Sequence, residues 1–143
     1  MFNLPHTPME DMETDPSSPE GSAIDRWDQL HEVLASQERR MILYSLKDAP
    51  KERRLPLPEA AKAPDSSWDS ERAAMRLEHS HLPKLAAAGY VRWERDPFCV
   101  QRGRHFEEVE AMFNLIDESI DRFPKSLITG CDIYEELYHD VRQ

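Results

Sequence analysis

Residues 69–95 read DSERAAMRLEHSHLPKLAAAGYVRWER, and the fold turns on this stretch. Asp69 or Ser70 is suited to cap a helix N-terminus, and acidic Glu71 falls in the first turn, where the helix dipole favours negative charge. Ala73, Leu77, Leu82, Leu85 and Ala88 recur at roughly helical spacing. Gly89 then stands where a left-handed C-cap is wanted. Tyr90, Val91 and Trp93 favour a strand, so the helix runs straight into a sheet. Pro83 is the misfit. A proline inside a helix removes a backbone donor and is expected to kink or divide it near His81–Leu82.

Upstream, residues 24–35 predict a helix with Trp27, Leu30, Val33 and Leu34 on one face. Ser36 is expected to cap a second helix over 37–47, with Ile42, Leu43 and Leu46 facing the core and Arg39 and Arg40 on the opposite side. Pro50 ends it. Residues 51–68 hold three prolines and read as a basic turn with Lys51, Arg53 and Arg54, a short helix at about 57–62, and a loop over 63–68. Downstream, residues 90–95 and 98–102 flank Asp96-Pro97 and predict a β-hairpin. Val109, Met112, Phe113, Ile116 and Ile120 place an apolar stripe on a helix over 104–122, closed by Pro124. A last short helix over 131–142 carries Ile133, Leu137 and Val141 on one face. Residues 1–23 combine Pro, Ser, Asp and Glu with few large apolar groups and read as a disordered acidic tail.

Two blocks carry a family resemblance. HSHLPKLAAAGYVRWER (79–95) is similar to the HxHLPKLxxAGxVxxD signature of a family of small haloarchaeal regulators of transcription. LASQERRMILYSLKD (34–48) resembles that family's LSxxxRRxxLxxL helix. The resemblance covers about residues 26–103. It implies a winged helix-turn-helix in which residues 70–88 are the recognition helix, the hairpin is the wing, and the short helix at 57–62 is the first of the pair. That first helix is short here and the loop after it long, a departure from the pattern. The resemblance names no target.

The charge is −10 over 143 residues, but unevenly spread. Residues 1–25 hold six acidic groups and no Lys or Arg. Residues 36–104 hold fourteen Lys/Arg against ten Asp/Glu, and residues 105–143 hold three against ten. The basic excess is thus confined to the segment that resembles a DNA-binding domain, and a locally basic face on an acidic whole still attracts phosphate at short range. Thirteen arginines against five lysines, and the acidity itself, suit a high-salt cytoplasm. No apolar run approaches the ~20 residues of a membrane span. The first residues lack the basic-then-apolar pattern of a secretory signal. Cys99 and Cys131 form no CxxC, which fits a reduced, cytoplasmic setting.

The recognition helix offers Arg72, Arg76, His79, Ser80 and Lys84. Arg72, Arg76 and Ser80 follow one another at intervals of four and share a face, with Glu71 and Glu78 as local ion-pair partners. Arginines so placed grip guanine edges or phosphate. On the hairpin, Arg92, Arg95, Arg102 and Arg104 cluster to touch backbone or minor groove. His79 and His81 stand two apart on a helix and do not point the same way, so a metal is not expected; the resemblance, in which HxH belongs to the signature, implies a packing or capping role. There is no Gly-rich phosphate loop, no HExxH and no nucleophile beside a convincing base, so neither catalysis nor a cofactor is expected.

The expected fold is α+β, mostly helical, a winged helix-turn-helix with a two-stranded β wing and an added C-terminal helix. Its expected parts are an acidic tail (1–23), the DNA-binding domain (24–104) and an acidic helical segment (105–143) that pairs two copies. The expected function is regulation of transcription, with double-stranded DNA contacted by Arg72, Arg76, Ser80, Lys84, Arg92, Arg95 and Arg102 of a homodimer. The alternative is a protein-interaction module on the same scaffold without DNA binding.

Overall fold

The computed structural model describes residues 22–62 and 68–142. The expected tail at 1–23 falls outside it except for Ser22 and Ala23, as does the expected loop except for Trp68. The chain is α+β and mostly helical. Helix α1 spans Ala23–Leu34 and begins where the Ser22 hydroxyl accepts the Asp25 N–H. Helix α2 spans Gln37–Asp48, and Ser36 caps it by accepting the Arg39 N–H. A two-residue strand, β1 (Leu55–Pro56), follows, then a single 3-10 turn at Glu59–Ala61. The longer helix expected at 57–62 does not form: Pro58 steers Leu57 away from the helical region, and the Leu57 N–H bonds to the Phe98 carbonyl instead.

Helix α3 spans Ser70–Arg76, capped by Asp69, whose carboxylate accepts the N–H groups of Glu71 and Arg72. It widens into a π turn over Leu77–His81 and continues as α4, Leu82–Ala87. Pro83 explains the widening. Its ring would meet the carbonyl of His79 in a regular α-helix. In the wider turn the Leu82 N–H bonds back to the Leu77 carbonyl, five residues away. The proline therefore divides the helix as expected, yet the chain stays helical from 70 to 87. Gly89 closes it at φ +83°.

Strands β2 (Val91–Arg95) and β3 (Phe98–Arg102) form the expected hairpin, with Trp93 opposite Val100. The sheet has three strands and not two. β1 pairs antiparallel with β3, Leu55 opposite Val100, giving the order β1-β3-β2. Helix α5 spans Phe106–Ser119 and α6 spans Asp132–Arg142.

One core joins these elements. Leu30 and Val33 of α1, Ile42, Leu43 and Leu46 of α2, Leu77, Leu82 and Leu85 of the 70–87 helix, Tyr90 and Val100 of the sheet, and Phe106, Val109 and Phe113 of α5 are all buried in it. Tyr44 stacks on Phe113 at 3.8 Å between ring centres and meets the edge of Tyr134 on α6. The inner stripe of α5 thus packs on its own chain, and the 105–143 segment shares the core of the residues before it. Trp27, expected on the core face, remains half exposed.

Three arginines fasten helix ends. Arg39 is buried: its guanidinium donates to the carbonyls of Val33 and Glu32 and to Nδ1 of His81, at 2.8, 2.8 and 2.9 Å. Arg40 donates to the Leu34 carbonyl. Both reach back to the C-terminus of α1, where orphan carbonyls and the dipole welcome a cation, so neither lies on the outer face that helical spacing gave them. Arg26 joins α1 to two other elements, donating to Glu108 on α5 and to the Ala88 carbonyl.

Candidate nucleic-acid interface

The outer face of the 70–87 helix exposes Arg72, Met75, Arg76, His79, Ser80, Pro83 and Ala87. The hairpin lies alongside, tied to the helix by Arg95, which approaches Glu78 at 3.4 Å and stacks over Trp93. Arg95 thus lies beside the middle of the helix, and Arg92 lines a cleft with Ala86 and Ala87 at its C-terminal end.

The cations differ in what already holds them. Arg72 and Arg92 are exposed and have no ion-pair partner among the described residues. Arg76 is paired with Glu38 of α2 at 2.7 Å, and Lys84 with Glu32 of α1 at 2.7 Å. The local partners expected for the helix arginines do not serve. Glu78 turns to the hairpin, and Arg76 reaches across to another helix. The Lys84 ammonium, by hydrogen bond and charge, holds the Glu32 carboxyl below the usual carboxylate range. Burial pushes the Glu38 carboxyl up, but the Arg76 guanidinium and His81 outweigh it and the net shift is downward.

Arg102 has a different task. Its guanidinium donates to the carbonyls of Leu46, Lys47 and Ala49, the open C-terminus of α2, and lies over the Phe106 ring at 4.6 Å. Only 14% of its side chain is exposed. The expected groove contact is thus a helix cap, recruited because β3 places residue 102 beside the end of α2.

His81 joins residues 34–48 to residues 79–95 in space. Arg39 donates to its Nδ1, so the ring proton sits on Nε2 and is donated to Glu38 at 2.8 Å. The Glu38-Arg39 pair in one block and the second histidine of the other form a single bracket that locks the 70–87 helix to α1 and α2. Burial lowers the His81 pKa and Arg39 adds to this, against Glu38, which keeps the ring neutral. His79 points outward and is exposed.

The sequence pointed to neither Glu32 nor Glu38 as a partner, nor to exposed Met75 as part of the face, and it assigned Glu78 to the helix arginines rather than to the hairpin. Met75 was readable as an apolar residue off the core stripe. The carboxylates were not, because Glu38 and Arg76 are 38 positions apart.

Residues 31–101 match the family model described as Domain of unknown function (DUF7344). That span holds α2, the 70–87 helix, β1, β2 and all of β3 but Arg102. No curated protein and no solved structure matches the chain. Among the described residues no helix is long and apolar enough to cross a membrane.

Proposed function

We propose that the protein is a cytoplasmic, DNA-binding regulator of transcription on a winged helix-turn-helix scaffold. The observation that carries this reading is the exposed, cationic 70–87 helix with a hairpin tied along its side. A helix of that width fits the major groove, where Arg72 and Arg76 meet guanine edges or phosphate and Ser80 adds a short polar contact. Met75 supplies an apolar contact of the kind a thymine methyl accepts. Lys84, Arg92 and Arg95 reach the flanking backbone. Arg102 serves by holding β3 against α2. The resemblance of residues 34–48 and 79–95 to haloarchaeal regulators supports the same reading.

The test is chromatin immunoprecipitation of the tagged chain beside an Arg72→Ala/Arg92→Ala variant. Neither arginine has an ion partner among the described residues, so folding is spared. Sharp peaks that vanish in the variant are expected. Equal enrichment from both proteins would remove these residues from the interface.

We further propose that two copies meet through α1 and α5. A groove of about 390 Å³ runs between these helices, lined by Ala23, Trp27, Leu30, Ala111, Met112 and Leu115. Trp27 is 51% and Leu115 61% exposed, an unusual expense of apolar surface on one face. A twofold pairing there would cover both. Light scattering is expected to give twice the chain mass, falling to one chain in Leu115→Arg. A single-chain mass for the native protein would instead favour the interaction-module reading, with this groove as its docking face.

A further inference from the structure

Three of the cations on the proposed DNA face begin with carboxylate partners, and this carries a consequence for how the face responds to salt. We propose that DNA binding exchanges these internal partners for phosphate, so that Glu32, Glu38 and Glu78 take up solvent cations as the complex forms and binding survives in concentrated salt. The inference rests on the DNA-binding reading above.

The exchange is feasible because the pairs are exposed at their edges. The Lys84–Glu32 pair is 36% and 60% exposed, and the Arg95–Glu78 pair 67% and 26%. Exposed pairs of this kind contribute little to stability, so opening them costs little. Each freed carboxylate then stands beside DNA phosphates without its cation, and a solvent cation is drawn in to neutralise it. Glu38 is the least free of the three, since His81 continues to donate to it at 2.8 Å.

The size of the effect follows from counterion release. A protein that sets Z free cations on duplex phosphates shows log K falling with log salt at a slope of about −0.9Z. Arg72, Arg76, Lys84, Arg92 and Arg95 acting as five free cations would give a slope of about −4.5. Uptake of one cation by each of three carboxylates moves the slope by about +3, to about −1.5 per chain. Acidic groups that weaken attraction at low salt thereby protect it at high salt.

The experiment measures binding of the full chain to a fluorescein-labelled 30-base-pair duplex of mixed sequence, by anisotropy, across a series of KCl concentrations. The native protein is expected to show a shallow slope, and each Glu→Gln change to steepen it by about one unit. Glu32→Gln/Glu78→Gln leaves the His81 bracket intact. The triple variant with Glu38→Gln is read only if its circular dichroism matches the native chain. A native slope near −4.5, or a double-variant slope equal to the native one, would overturn the inference while leaving DNA binding in place. No anisotropy change with either protein at any salt would overturn the DNA-binding reading, and the inference with it.

Discussion

Helical spacing alone would treat Arg39 and Arg40 as equivalent neighbours on a solvated face, and replacing each by methionine separates that view from the structure. Methionine keeps the unbranched apolar stem and removes the guanidinium. Arg39→Met deletes bonds to Val33, Glu32 and His81 at 2.8–2.9 Å and strips the Val33 carbonyl of this donor, while the Glu32 carbonyl keeps the Ala35 N–H. Bonds to a charged donor contribute roughly 1.5–3 kcal/mol each. The carbonyls sit next to exposed Ala35 and partly regain water, so the lower end applies and the loss over three bonds is about 4–5 kcal/mol. For a chain of this length each kcal/mol lowers Tm by about 2–4 °C, which gives a fall of roughly 8–20 °C. Arg40→Met deletes one bond, to Leu34, and also removes a buried Nε that lacks a partner. Its cost is about 1 kcal/mol or less. Urea and thermal unfolding of the full chain, followed by far-UV circular dichroism at neutral pH, gives both values. Equal shifts in the two variants would refute the bracket drawn around Arg39.

Arg102→Ala is expected to cost about 2–3 kcal/mol through loss of the α2 cap and the Phe106 contact, while Arg92→Ala stays within about 0.5 kcal/mol; urea midpoints distinguish them. The folded-state pKa of His81 lies below the ordinary value of about 6.5, so the unfolded chain binds the proton first. Stability is therefore full above about pH 6.5 and declines as pH falls through that value, and His81→Gln should flatten the decline in unfolding midpoints measured from pH 7.5 to 5.5. Gly89→Ala must place a methyl 2.6 Å from the His105 ring at φ +83°, whereas Gly130→Ala meets nothing within 4 Å at φ +89°. Both pay for the left-handed backbone, and calorimetry should show the Gly89 variant the less stable by at least about 1 kcal/mol.

What could be read in advance was local. The caps at Ser36 and Asp69, the Gly89 stop, the hairpin and the amphipathic helices each announce themselves within a few residues. Even the π turn left a trace: the buried series Ala73, Leu77, Leu82, Leu85 steps by five at its middle, just before Pro83. Strand β1 left none, since two residues beside prolines carry no period, and its place is set by β3. The candidate face was legible as a list of cations and not as an electrostatic surface. Whether an arginine is free, paired or capping depends on which distant carbonyl or carboxylate the fold brings near, and the burial of Arg39 and Arg102 follows from that long-range geometry.

The π turn sets the phase between the two ends of the helix. It acts as one inserted residue, and one residue is worth about 100° of rotation. A regular spiral over the same residues would swing Leu82 and Leu85 by about 100° out of the interior, whereas removing one residue between 77 and 81 would take up the wide turn and leave both facing inward. For the same reason, contact residues transplanted from a straight helix would need two separate alignments, one for 70–76 and another, shifted by a position, for 82–87.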